Sequence, residues 1–402
     1  MKYNFDELIN RRGTNSLKWD IPEGQLPMWV ADMDFKTAPE ITEAILRRAE
    51  HGVFGYCTIP DAWSDAYIKW WRDRHGVEYS KDELIFSTGV IPILSSCVRK
   101  LTTPGENVLI MTPVYNIFYN CIRNNGRNVQ EFSLDYRDGA YSIDFEKLEK
   151  ALSDPQTSLM FLCNPQNPTG KIWDRDTLER IGELASMNGV TVISDEIHCD
   201  ITDPGCAYVP FASVSEKCRE NAVICISPTK AFNLAGIQTA AAVVPNPRLR
   251  HKVWRALNTD EVAEPNVFAV QAAVAAFEQG GEWLDELRNY LYENKQLVSR
   301  FLAHELPLIR LVPSEATYLL WLDCTALGMS SKELERHIRK STGLFLSRGE
   351  IYGSEECFLR MNIACPISMV QDGLERLKEA ISCLGRLGTV LGVPEPSPIV
   401  PL

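Results

Sequence analysis

The chain has no block of basic residues. Its 41 lysines and arginines are outnumbered by 53 acidic residues among 402, a formal net charge of −12. That balance argues against nucleic acid or an anionic membrane surface as a partner, although a local pocket on an acidic protein can still be positive. No stretch approaches the roughly 18 consecutive apolar residues of a membrane-crossing helix, and Met1 to Asn10 lacks the apolar core of a signal peptide. Histidines number only six, without the spacing of metal ligands, so no metal site is expected. The twelve cysteines include no Cys-x-x-Cys pair, and several fall inside strand-like runs. They fit buried thiols of a reducing cytoplasm better than a disulfide framework. No internal repeat is present.

What is there has the composition of an ordinary globular protein, not a disordered segment, 45% hydrophobic and 23% charged. Its length allows a large core and two domains. Apolar runs at Asn107 to Met111, Asn128 to Phe132, Ser158 to Cys163, Val190 to Ser194, Ala222 to Ile226 and Thr239 to Val244 read as strands. Between two of them, Asp174 can cap a helix carrying Leu178, Ile181, Leu184 and Ala185 on one face, which Gly189 then stops. Alternation of this kind predicts an α/β fold with a mostly parallel sheet covered on both sides. From about Glu282 the pattern turns helical, with short strands around Thr317 to Leu322 and Phe358 to Ile363. The proline-rich end, Gly392 to Leu402, reads as an extended or disordered tail.

Four motifs carry the chemistry. Lys230 lies in Ser227-Pro228-Thr229-Lys230-Ala231-Phe232-Asn233, just past the strand Ala222 to Ile226. Such a lysine is either a solvated loop cation or an amine that forms a Schiff base with a carbonyl cofactor. Asn164-Pro165-Gln166-Asn167-Pro168-Thr169-Gly170 fixes a rigid turn after a strand, which by itself could be an ordinary connector. Ser194-Asp195-Glu196-Ile197-His198 closes another strand, where an acid could merely cap a helix. Phe358 to Cys365 sets the single cation Arg360 in a strongly apolar strand; a surface-edge arginine is the plainer reading. Ligands in parallel α/β sheets gather at the carboxyl ends of strands, and Asn167, Asp195 and Lys230 all fall at or just after such ends.

In this order and at these intervals, the four motifs resemble the fold-type I pyridoxal 5′-phosphate (PLP) enzymes, the aspartate aminotransferase superfamily. Pro27-Met28-Trp29-Val30-Ala31-Asp32-Met33-Asp34-Phe35 resembles the opening signature of one branch, the carbon–sulfur β-lyases of the MalY/PatB type. Phe54-Gly55-Tyr56, Ser87 to Val90, Pro113-Val114-Tyr115, Gly281 to Asp285 and Ala316 to Trp321 resemble it too. The likeness implies a seven-stranded, mostly parallel sheet in a large domain over residues 46–284. Residues 1–45 would form an arm and part of a smaller α+β domain, completed by residues 285–390 and followed by the tail, 391–402.

The same resemblance implies roles. Lys230 would hold PLP and, once released, remove the substrate's Cα proton, while Asp195 would keep the pyridine nitrogen protonated. Asn167 would bond the cofactor's phenolic oxygen, with His198 either beside it or packing. Tyr115 would stack on the ring. Gly89, Val90 and Ile91 at a helix start, with Ser227, would hold the phosphate. Tyr56 would reach that phosphate from a neighbouring subunit, making the enzyme a homodimer with shared sites. Arg360 would clamp the substrate carboxylate, and Trp29, Ala31 and Tyr352 would wall the pocket. Departures from the pattern are Gln166 for a usual histidine, Pro228 for a small residue, and Gln238 where many aminotransferases carry arginine. The expected reaction is cleavage of the Cβ–S bond of cystathionine, cysteine or a related amino-acid thioether to a thiol, pyruvate and ammonia. An aminotransferase shares every cofactor contact and is the alternative. A non-catalytic PLP-fold binding module would have no use for the lysine, aspartate and arginine together.

Overall fold

The computed structural model describes residues 2–390; the proline-rich tail expected at 391–402 lies outside the described residues. Seven strands form the main sheet: β1 (Leu84–Ser87), β2 (Asn107–Thr112), β3 (Asn128–Ser133), β4 (Thr157–Cys163), β5 (Thr191–Asp195), β6 (Ala222–Ile226) and β7 (Ala240–Val243). Their spatial order is β1-β7-β6-β5-β4-β2-β3. Only β7 runs against its neighbours. Every other pairing is parallel, so the carboxyl ends of β1, β2, β4, β5 and β6 emerge on one edge.

Except for the edge strand β3, the strands are buried on both faces, as their continuous apolar runs require. Alternate residues divide between two cores. Val108, Ile110, Leu159, Phe161, Val223 and Cys225 face the helices Val90–Leu101 and Pro247–Thr259. Leu109, Met111, Met160, Leu162, Ile224 and Ile226 face the larger core on the other side. The period of two along each strand thus packs both surfaces of one sheet. The expected helix forms over Arg175–Met187, with the Asp174 carboxylate accepting from Thr177 N at 2.7 Å. Gly189, at φ +69°, turns the chain back into β5.

A second sheet is wholly antiparallel. Its strands are β8 (Arg310–Leu311), β9 (Leu319–Asp323), β10 (Ser347–Arg348) and β11 (Phe358–Asn362), in the order β8-β9-β11-β10. The 25-residue helix Gly281–Glu305 is continuous across position 284, so the division expected there falls inside a helix. Near the N-terminus, Leu26–Pro27 pairs in parallel with Leu344–Phe345. Asn362 ties the next residues to β11, donating from its side chain to Asp32 O at 2.7 Å and from its backbone to Met28 O at 2.9 Å.

Candidate active site

A cavity of about 330 Å³ opens at the carboxyl edge of the main sheet. Five strand ends contribute to it. Thr88, Gly89, Val90 and Ile91 follow β1, Tyr115 follows β2, Asn167 follows β4, Asp195 ends β5 and Lys230 follows β6. Ala31, His198, Thr229 and Gln238 complete the polar part of the lining.

Lys230 is held by the loop that bends back from β6, with Phe232 N donating to Pro228 O at 2.9 Å. Its Nζ donates to Ala31 O at 2.6 Å, and among the described residues no carboxylate pairs with it within 4 Å. Burial lowers its pKa to about 8, with Asp32 and Asp195 pulling upward and Arg360 adding to the depression. Asp195 is 5% exposed and has no cation partner; burial raises it to about 7, against the Ile197 backbone N–H that donates to it at 3.2 Å. His198 is buried with Nδ1 unpartnered, and desolvation, then the charges of Lys230 and Arg360, push it down to about 3. It is therefore a neutral imidazole near neutrality. Tyr115 is pushed up to about 12 by burial and stays a neutral phenol.

Arg360 stands in the middle of β11, where its neighbours in register are Trp321 and Ser347. Nη1 donates to Asn167 Oδ1 at 3.1 Å and Nη2 to Trp29 O at 2.8 Å, and the guanidinium lies 4.8 Å over the Tyr352 ring. It is 4% exposed, no carboxylate pairs with it among the described residues, and its Nε has no partner. A buried guanidinium fixed by two carbonyl oxygens keeps its charge available for an anion.

The opening signature and the lysine loop clasp each other. Asn233, at φ +55°, accepts from Met33 N at 3.0 Å and donates to Met33 O and Phe35 O at 3.1 and 2.9 Å. Behind this clasp Asp34 meets Lys18 at 2.7 Å and Arg11 at 2.6 Å, and Asp32 meets Arg11 at 2.7 Å. These ion pairs place Ala31 O against Lys230.

Several expected residues stand elsewhere. Ser227 does not line the cavity: its hydroxyl donates to Thr239 O and contacts Thr229 Oγ1, both at 2.7 Å, so the loop consumes it and Thr229 is presented instead. Trp29 and Tyr352 do not wall the cavity either. The Trp29 ring stacks on Phe345 at 4.7 Å, and Tyr352 lies under Arg360. Tyr56 is fully exposed, away from the cavity of its own chain. Thr88, Thr229 and Gln238 were not singled out as lining groups; Thr88 lies inside the quoted Ser87 to Val90 motif, and Gln238 was noted only as a departure.

Residues 24–377 match the family described as aminotransferase class I and II. The chain belongs to that family. Within it, the chain is 43% identical over 387 residues to cystathionine beta-lyase PatB of Bacillus subtilis (strain 168), covering 94% of this chain and all of that one. It is 34% identical to protein MalY of Escherichia coli (strain K12), over 94% and 99% of the two chains. Among solved structures, cystalysin from Treponema denticola, which contains a pyridoxal 5′-phosphate cofactor, superposes with a TM-score of 0.92 at 32% identity. That match covers 96% of this chain and all of cystalysin. The PLP-bound C-S lyase from Staphylococcus hominis gives 0.87 at 32% identity, over 94% and 98% of the chains. The fold of this chain is thus shared with those solved structures over nearly its whole length.

Proposed function

We propose that this family member is a PLP-dependent carbon–sulfur β-lyase acting on cystathionine, cysteine or a related amino-acid thioether. The observation that carries it is that Lys230 and the buried Asp195 line one cavity while the buried Arg360 is held on a third lining residue, Asn167, and none of the three pairs with an opposite charge among the described residues. Left without a ligand, each is costly to bury, and PLP with an amino acid supplies a counterpart for each. The fit to PLP can be checked group by group. The helix Val90–Leu101 opens at Gly89 with first-turn amides free of intrahelical partners, a favourable seat for a phosphate. A Cβ at Gly89 would meet Pro92 Cδ at 3.3 Å, so the close approach depends on glycine. Thr88 and Thr229 bring hydroxyls, Tyr115 a flat face, and Asp195 a carboxylate for a ring cation.

Bound PLP supplies an electron sink for the carbanion formed at the substrate's Cα. Arg360 holds the substrate α-carboxylate through its charge and orients Cα. Lys230, with a pKa near the working pH, has a neutral fraction that takes the Cα proton at Nζ. Asp195 steadies positive charge on the ring nitrogen, and in return its carboxylate is held ionised. His198 and Asn167 remain neutral, donating or accepting hydrogen bonds without competing for that charge. The overall change consumes water and breaks Cβ–S, giving the thiol, pyruvate and ammonia.

In the proposed assembly two copies share their sites, Tyr56 of the partner subunit completing the phosphate seat; its full exposure in the single chain supports this. The proposed location is the cytoplasm, in keeping with twelve free cysteines, nine of them buried. Among the described residues no helix is long and apolar enough to cross a membrane. The proposed division into a large unit, residues 46–284, and a smaller one, residues 285–390 with 1–45, runs through the helix Gly281–Glu305, which belongs to both.

The test is turnover with L-cystathionine or L-cysteine without a keto acid. Pyruvate and ammonia should accumulate together over many turnovers. Product that forms only when a keto acid is supplied identifies an aminotransferase instead.

A further inference from the structure

The loop after β5 has two sides. Ile197 and His198 line the cavity already described, whereas Cys199 and Asp200, the next two residues, line a separate cavity of about 160 Å³. His75, the last residue of the helix Asp61–His75, reaches the same space before Gly76 turns the chain away at φ +65°. An imidazole nitrogen, a thiol sulfur and a carboxylate oxygen from His75, Cys199 and Asp200 all lie within 4.8 Å of one another. Asp200 is unevenly satisfied. Its Oδ1 meets His75 Nε2 at 2.8 Å and Trp70 Nε1 at 2.9 Å, while Oδ2 is buried with no partner. The side chain is only 2% exposed, so that bare oxygen faces an interior that water alone would have to satisfy.

We propose that His75, Cys199 and Asp200 form a binding site for one thiophilic divalent transition ion, with zinc the fitting class. A mixed nitrogen, sulfur and oxygen set is the donor chemistry of zinc, with bonds of about 2.0–2.3 Å. Such bonds place ligand atoms roughly 3.5 Å apart, so small side-chain rotations suffice on loading, the His75–Asp200 contact opening and the widest separation, at most 4.8 Å, closing. The fourth position falls to water or to Cys206, which lines the same cavity. Binding releases the Cys199 thiol proton, and any proton on His75 Nε2, to solvent. Two arginines at this cavity do not oppose the ion with free charge. Arg74 is bidentate on Asp285 at 2.7 and 2.8 Å, and Arg288 donates to Thr202 O at 2.9 Å and lies 3.5 Å from Asp285. Nothing in the cofactor chemistry uses this ion; it braces the back of the loop whose front carries Asp195 and His198.

The experiment is equilibrium dialysis of the cofactor-loaded enzyme against zinc, with bound metal counted by atomic emission. One equivalent per chain is expected. Cys199→Ser and His75→Gln should each lose it while keeping the cofactor's colour, and Cys57→Ser, at a distant cysteine, should retain it. X-ray absorption at the zinc edge of the wild-type enzyme decides the matter even if a variant fails to fold. It should show one sulfur near about 2.3 Å, or two with Cys206, beside nitrogen and oxygen near about 2.0 Å. No uptake by the wild type, uptake unchanged in both folded variants, or a shell without sulfur each overturns the proposal.

Discussion

Two groups of buried charges meet at the N-terminal signature and are treated in opposite ways. On its far side, Lys18 and Asp34, both 2% exposed or less, pair at 2.7 Å, and Arg11 joins Asp34 and Asp32 at 2.6 and 2.7 Å. On the near side Lys230, Asp195 and Arg360 share one site without an opposite charge within 4 Å of any of them among the described residues. Each group combines buried members with half-buried ones (Arg11 and Asp32 in the first, Lys230 in the second), but only the first is compensated. Paired charge holds the segment Ala31 to Phe35 in place, and unpaired charge is what a ligand can use. The tilt of the pKa values follows, since Lys230 falls to about 8 and Asp195 rises to about 7, both because burial is met by too little opposite charge.

Substitutions on the two sides should therefore separate activity from stability. The largest effect belongs to Lys230→Ala, which should cut turnover by about 10⁴-fold with little change in the thermal melt. Borohydride reduction and peptide mapping of the wild type should find the cofactor on Lys230, and an adduct on another lysine would refute the assignment. Next comes Lys18→Met. It leaves Asp34 buried with Arg11 as its remaining cation, and should cost about 3 kcal/mol in denaturant unfolding, while kcat per folded molecule holds. A kcat loss as large as the Lys230 variant's would dissolve the contrast.

Asp195→Asn should slow turnover by about 10²-fold with the cofactor still bound, and Asp195→Glu should be milder. Its effect on the cofactor-free protein has the opposite sign. A carboxyl raised in the folded state from 3.8 to about 7 stabilises relative to the unfolded chain below pH 3.8, and this advantage is lost as pH rises through 7. At pH 8 the native state pays for a buried anion, so Asn should raise the melting temperature there and lose that advantage at acid pH. A melt insensitive to both substitution and pH would show that Asp195 is compensated after all. The smallest effect is expected from Arg360→Lys, about tenfold in kcat/KM, by a similar factor for cystathionine and cysteine because both present the same α-carboxylate. Unequal factors would place Arg360 on the distal part of the substrate.

Much of the site was legible because it follows from position on strands. A motif residue one to four places beyond an apolar run must emerge at the carboxyl edge of a parallel sheet, which is where Asn167, Asp195 and Lys230 stand. The differences concern what lies beyond the backbone. Ser227 follows its strand as closely as the others, yet its short side chain rotates onto Thr239 O and leaves the cavity to Thr229. Trp29 and Tyr352 are walls of the pocket in the reading that the resemblance implies. In space they support Arg360, one through its carbonyl and the other through its ring.

By itself, then, the sequence determined the α/β class, the strand ends and the family, and it pointed to residues that line one cavity, because periodicity and local turns are encoded over a few neighbouring residues. Only the tertiary structure decided which charges are paired and which are left bare. Lys18 finds Asp34 and Lys230 finds only a carbonyl, although both are lysines near the same segment. It also decided that His75, with no metal-ligand spacing in the chain, meets Cys199 and Asp200 more than 120 residues later. Pairing of groups so far apart depends on how helices and loops pack against the sheet, and no local pattern carries that information.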